Sequence, residues 1–359
     1  MQIKETPEDF IVEEKIRLNT KFKGDYTYFL LEKRNWTTLS AIDMVAKKLN
    51  INVRRFSFAG QKDRQGITKQ SVSVHKLSRR DLENLFIKDM KITFIGFGDK
   101  PISLGDLEGN KFTIIVKDLS RPLTTIHSFV NYFDDQRFGG YRPNLHLVGK
   151  SILEKNYEQA VKYFLLYPFP NETKDYVKAR KRQEKEWGKW HVDRYPRYLT
   201  NERKLISYLS KNPTDFKDAL KILPRQLYTM TTQSYQSYLW NESLSRYIKK
   251  NLSDHKIFKY SLGELFVTDH YEDLDWPIIG YKTKLKGKQK EIIEQLMKEE
   301  GISFDFFKSE IHALASEGLT RKAFIKIKDL KLGRFENHQQ QVSFFLPKGS
   351  YATIVIKNL

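Results

Sequence analysis

Asp63 stands between Lys62 and Arg64 in the stretch Phe-Ala-Gly-Gln-Lys-Asp-Arg-Gln-Gly-Ile-Thr-Lys-Gln, residues 58–70. Gly60 and Gly66 break any helix there, and strand-like runs flank it at 55–59 and 70–75. The spacing predicts a hairpin whose loop presents a single carboxylate. Neighbouring cations keep such an acid ionised, and an ionised acid in a positive field suits chemistry on a polyanion. A plain surface turn has the same composition, because Asp favours turns and Lys and Arg solvate loops. On the local residues alone both readings stand.

Other chemistries are excluded more easily. The chain has no cysteine, which removes disulfides, thiolate zinc sites and cysteine nucleophiles. Its eight histidines show no HExxH or other ligand spacing, so no metal site is expected. Neither a Walker loop nor a GxGxxG run is present, which argues against nucleotide hydrolysis. Asp134 and Asp135 could share Mg²⁺ with Asp63 as in a nuclease, although adjacent acids in a polar loop more often cap a helix or face solvent. With 63 basic against 44 acidic residues the formal charge is +19, which points to a nucleic-acid partner. Anionic lipid is the competing polyanion, but no basic amphipathic helix with a separate apolar face is visible. Residues 178–204 hold ten Lys or Arg against four acids, interleaved with Trp187, Trp190, Tyr195, Tyr198 and, counted loosely, His191. That segment reads equally as an RNA-stacking surface or as a charged helical face whose aromatics are core.

The elements that must position these groups fall into two regions. A chain of 359 residues has room for roughly two domains, and 40% hydrophobic content marks it as folded. No apolar run nears the ~18 residues of a membrane span, and the N-terminal residues lack a signal-peptide core, so a cytoplasmic protein is expected. Strands are predicted at 9–16, 26–33, 92–97 and 111–117, and helices at 38–49, capped by Thr37 or Thr38, and at 78–86. From about 125 to 320 the pattern becomes mainly helical, starting at 120–133 and including 235–248 and 291–300. The tail, 342–356, reads as two strands around a Pro-Lys-Gly turn. Strands returning after helices suggest that the middle is an insertion into the first domain.

Together, these ordered motifs resemble the tRNA pseudouridine synthase D (TruD) family over nearly the whole chain. They are Lys4 with Pro7-Glu-Asp-Phe10, Val12 and Glu13; Lys33-Arg-Asn-Trp-Thr-Thr38; Ser57-Phe-Ala-Gly-Gln-Lys-Asp-Arg64 with Thr68 and Gln70; Gly109-Asn-Lys-Phe112 with Asn131-Tyr-Phe-Asp-Asp-Gln-Arg-Phe-Gly139; Gln236-Ser-Tyr-Leu-Trp-Asn241; and Leu346-Pro-Lys-Gly-Ser-Tyr-Ala-Thr353. The resemblance implies an α+β fold: a pseudouridine synthase catalytic domain on a mixed β-sheet (1–130 and 322–359) with a largely helical inserted TRUD domain (131–321). A basic stretch at about 150–225 looks longer than in compact bacterial members. The implied activity is cofactor-free isomerisation of a tRNA uridine, position 13 in the D-arm, with tRNA as partner and with no metal, membrane or obligate protein partner. Asp63 matches the family's catalytic aspartate and Lys4 an active-site lysine. Phe10, Asn110, Phe112 and Tyr351 match positions that contact the target nucleotide, with Tyr351 where bacterial members have Phe. Lys62 and Arg64 are expected to hold flanking phosphates. A non-catalytic tRNA-binding protein or RNA chaperone is the alternative.

Overall fold

β-Branched and aromatic residues spaced two apart form strands, and the computed structural model, which describes residues 1–170, 172–309 and 314–359, gathers eight of them into one sheet. Residues 1–127 with 326–359 make one unit and residues 128–325 a second. The first unit holds β1 (Phe10–Lys15), β2 (Tyr26–Arg34), α1 (Thr38–Lys48), β3 (Phe56–Phe58), β4 (Ile67–His75), α2 (Arg79–Glu83), β5 (Met90–Gly98) and β6 (Gly109–Val116). A C-terminal hairpin, Lys328–Glu336 with Gln339–Pro347, and the helix Ala352–Asn358 complete it. From the hairpin the strand order runs β6, β1, β4, β2, β5, with β3 also on β4. β1 and β4 are parallel and the other neighbours antiparallel, so the sheet is mixed.

Register decides what shares a face, because directly paired residues point the same way. Lys33 pairs with Thr68, Leu31 with Gln70 and Phe29 with Val72. Val12 pairs with both Thr68 and Phe112, Glu14 with Asn110, and Phe112 with Phe344. Phe10, Val12, Glu14, Lys33, Thr68, Gln70, Asn110 and Phe112 therefore lie on one face. Toward one end that face is apolar, where Phe29, Leu31, Val72 and Val74 pack against Ala41, Ile42 and Val45 of α1. Toward the other end it turns aromatic and polar. The opposite face carries Glu13, Lys69 and Glu32, with Lys69 3.5 Å from each acid.

The second unit is built on α3 (Leu145–Leu153), α4 (Tyr157–Leu166), α5 (Lys174–Lys185), α6 (Thr200–Leu209), α7 (Phe216–Lys221), α8 (Arg225–Asn251) and α9 (Gly287–Glu300). α3 and α8 approach so closely at Gly149 that a Cβ there would sit 2.0 Å from the Thr231 carbonyl oxygen. Two of the sequence motifs meet on α8. Asn241 accepts from the Phe133 amide at 2.9 Å and donates to the Phe133 carbonyl at 2.8 Å, while Arg137 Nε donates to Ser237 Oγ at 3.1 Å. Among the described residues no helix is long and apolar enough to cross a membrane.

Two expected elements differ. Residues 120–133 form no helix, and Ser128–Val130 is a buried strand instead. Pro122 and the β-branched Thr124, Thr125 and Ile126 disfavour helix there. The tail has one strand, not two: after Gly349 (φ 84°) the chain enters the helix Ala352–Asn358. This helix buries Ala352, Ile354, Val355 and Ile356, and packing outweighs the strand preference of its Thr, Ile and Val residues.

Candidate active site

β3 and β4 pair antiparallel, Phe56 with Val74 and Phe58 with Val72, leaving 59–66 as the connecting loop. Three buried side chains from the sheet and α1 pin that loop by its backbone. Thr38 Oγ1 accepts from the Lys62 amide at 2.9 Å and donates to Gln70 Oε1 at 2.8 Å, and Gln70 Nε2 donates to the Gly60 carbonyl at 3.1 Å. Lys33 Nζ donates to the carbonyl of Asp63 at 2.9 Å and to that of Trp36 at 2.6 Å. Lys33 is 1% exposed, and burial pulls its pKa down to about 8. The Asp63 carboxylate opposes that shift and the Lys62 ammonium adds to it. The loop closes at Gly66, whose φ of +134° and whose missing Cβ, which would lie 2.4 Å from the Phe10 carbonyl oxygen, both require glycine.

On this support Lys4 Nζ reaches Asp63 Oδ2 at 3.0 Å and stands 3.9 Å above the centre of the Phe10 ring. Lys4 itself has φ 66°, an uncommon conformation for a residue with a side chain. Phe10 meets Phe112 edge to face at 6.1 Å, and Phe112 meets Phe344 at 5.6 Å. Beside them Asn110 Oδ1 is buried and has no hydrogen-bond partner among the described residues. An orphaned buried acceptor costs about 1–3 kcal/mol, which fits a position kept for a donor on a bound molecule. The structure thus brings Lys4, Phe10, Asp63, Asn110 and Phe112 together on one sheet face.

The remaining expected site residues are placed differently. Arg64 is exposed on the loop. Tyr351 is half-buried at the start of the C-terminal helix, just beyond a turn that follows Pro347, the strand partner of Gly109. Lys62 corrects the expectation of a phosphate contact. Its ammonium lies 2.5 Å from Glu14 Oε2, with side-chain exposures of 5% and 0%, and Glu14 also accepts from the Ser71 amide at 3.1 Å. A buried pair of this kind holds its lysine inward. Lys33, Thr38, Gln70 and Glu14 support this site although the sequence reading assigned none of them a site role; the first three stood there as motif residues. For Lys33 a signal exists: it falls two residues after Leu31 and four after Phe29, on the buried side of β2.

In the second unit, Asp135 Oδ1 accepts from the Ser261 amide at 2.9 Å and Asp134 is buried. Among the described residues no group of three or more His, Cys, Asp or Glu could hold a metal ion. Trp190 and Tyr195 belong to the core of this unit, with Trp187 packed against it, while Tyr198 is 58% exposed. Core packing therefore accounts for three of the four Trp and Tyr side chains of the basic segment.

Residues 1–359 match the model of the family described as tRNA pseudouridine synthase D (TruD). The chain belongs to the tRNA pseudouridine synthase D family. A tRNA pseudouridine synthase D of Aquifex aeolicus is 31% identical, with 100% of this chain and 98% of that protein covered. A candidate tRNA pseudouridine synthase D of Nanoarchaeum equitans is 35% identical, again over 100% and 98%. A crystal structure of a candidate TruD from Methanosarcina mazei superposes with a TM-score of 0.75 at 29% identity, covering 99% of this chain and 92% of the other. In this chain the 57–64 motif runs from β3 into the pinned hairpin loop, and the 131–139 and 236–241 motifs meet in the second unit.

Proposed function

We propose that this protein converts uridine 13 in the D-arm of tRNA to pseudouridine, with Asp63 as the catalytic carboxylate. As a member of its family the chain is an isomerase, a tRNA pseudouridine synthase. The observation that carries the assignment of Asp63 is its setting. It is an acid on a backbone-pinned loop, paired with Lys4 at 3.0 Å, on the sheet face that bears Phe10, Phe112 and the unpartnered Asn110 amide oxygen. In this reading the first unit is the catalytic domain and the second the inserted TRUD domain.

The reaction breaks the N1–C1′ bond of uridine, turns the base over and joins C5 to C1′. The hydrogen leaves C5 and N1 gains one, so atoms balance with no net oxidation and no group donor. A single carboxylate suffices if it assists departure of the uracil and stabilises the cationic ribosyl centre. The uridine must first leave its stack, and the ring of the half-buried Tyr351 recovers part of that cost, while the buried rings of Phe10 and Phe112 form the floor beneath the site. Asn110 Oδ1 accepts from a uracil N–H, meeting its unused valence. Lys4 holds the Asp63 carboxylate and Arg64 meets a flanking phosphate, whereas Lys62 supports the loop from beneath. Mapping pseudouridine in a D-arm-containing tRNA transcript incubated with the protein tests the target: a new pseudouridine at position 13 is expected. Modification only elsewhere refutes the position, and none at all favours a non-catalytic RNA binder.

A further inference from the structure

The basic side chains in and beside residues 178–204 are used in two ways in the folded second unit. One group is committed internally. Arg180 pairs with Glu172 at 3.0 Å, Arg194 pairs with Glu186, and Arg203 donates to the carbonyls of Val192 at 2.7 Å and Tyr195 at 2.6 Å. Others face outward into a groove, whose wall also includes the internally bonded Arg203. Lys178 and Arg182, one turn apart on α5, line its first part with Arg197 and Arg203; Arg197, Arg203, Lys204 and Lys211 line the second part along α6. Sharing Arg197 and Arg203 makes the two parts continuous. Lys178, Arg182, Arg197, Lys204 and Lys211 are all exposed, against two acids in the lining, Asp175 and Asp193.

Like charges one turn apart on a helix cost a few tenths of a kcal/mol, and among the described residues none of these five cations forms an ion pair, so their concentration does not serve the fold. It matches a polyanion laid along the groove. An insertion into lipid would need an apolar face, yet the apolar residues Tyr176 and Ala179 of α5 are buried in the core. Tyr198, exposed beside Arg197, is steadied by a 2.5 Å hydrogen bond between its hydroxyl and that of Thr173. Its ring is available to stack on an unpaired base, which an acidic protein does not offer and RNA does.

We infer that the α5–α6 groove holds a stretch of the tRNA sugar–phosphate backbone, a contact made by the second unit in addition to the uridine-binding residues of the first. This rests on the proposed function only in taking tRNA as the ligand.

The test compares wild type with Arg182→Gln/Arg197→Gln/Lys204→Gln and with a charge-matched control, Lys284→Gln/Lys286→Gln/Lys288→Gln, which alters exposed lysines outside the groove. Affinity for a full-length tRNA transcript is measured against salt, alongside binding to anionic phospholipid vesicles and the single-turnover rate at saturating tRNA. Each phosphate contact adds about 0.7–0.9 to the slope of log K on log salt, so the groove variant should lose about 2 from the slope and the control nothing. The rate at saturation should be unchanged, and vesicle binding should be weak in all three. An unchanged slope, an equal fall in the control, or loss of strong vesicle binding in the groove variant would overturn the inference. Wild-type protein that binds tRNA with the expected slope but forms no pseudouridine would refute the proposed function and leave the groove standing.

Discussion

Replacing Lys33 with Met should impair turnover far more than it impairs folding. The Lys33 ammonium is the buried donor that bridges the carbonyls of Asp63 and Trp36, at 2.9 and 2.6 Å. Each charged hydrogen bond contributes about 1.5–3 kcal/mol, so losing both removes several kcal/mol. Burial of the charge offsets much of this: a pKa lowered from 10.5 to about 8 corresponds to about 3 kcal/mol. Net stability should therefore change by only about 1–2 kcal/mol. Thr38 and Gln70 still hold the Lys62 amide and the Gly60 carbonyl, so the loop stays closed while the Asp63 carbonyl loses its bond from Lys33. A shift of about 1 Å at a reacting group costs on the order of a hundredfold. Single-turnover kinetics should show kcat down by about that factor, with tRNA affinity within about threefold of wild type. The pH dependence supplies a second readout. Lys33 binds its proton more weakly in the folded state, so the wild type gains stability relative to the Met variant as pH rises through about 8 toward 10.5. Urea unfolding at pH 7.5 and pH 10 should show a relative gain of about 2 kcal/mol. A variant with unimpaired kcat, or one whose loss of turnover merely follows loss of tRNA binding, would refute the positioning role.

Lys62→Met strands a Glu14 carboxylate that is wholly buried. It should lower stability by about 3–5 kcal/mol in urea yet leave the salt slope of tRNA binding unchanged; the reverse pattern would return Lys62 to a phosphate contact. Gly66→Ala forces φ +134° on a residue with a Cβ and drives that atom against the Phe10 carbonyl. A loss of about 3 kcal/mol with a fall in kcat is expected, and unchanged urea unfolding would contradict the close approach.

The parts of the fold read correctly from sequence are those fixed by local pattern. The helix expected at 38–49 is Thr38–Lys48 with Thr37 as its cap, and the hairpin around Asp63 forms between β3 and β4. Where burial competes with propensity the reading fails: the tail's Ala-Thr-Ile-Val-Ile run has strand composition but is helical because one face packs inward. In the site, Asp63 and its neighbours Lys4, Phe10, Asn110 and Phe112 were legible through the family motifs, and sheet register explains why they converge. The inward turn of Lys62 was not, because its partner Glu14 lies 48 residues earlier and meets it only once β1 and β4 are paired. Lys33 hid for a related reason: a lysine on a strand reads as solvent-facing until Phe29 and Leu31 define its side as the buried one.

Single-turnover release of tritium from tRNA labelled at uridine C5 tests the catalytic role of Asp63 most directly. Asp63→Asn keeps the size of the side chain and the backbone bonds from Lys33 and Thr38, and removes only the carboxylate charge. The variant should bind tRNA with nearly wild-type affinity and release no tritium above background. Release at a rate near that of the wild type would contradict the account.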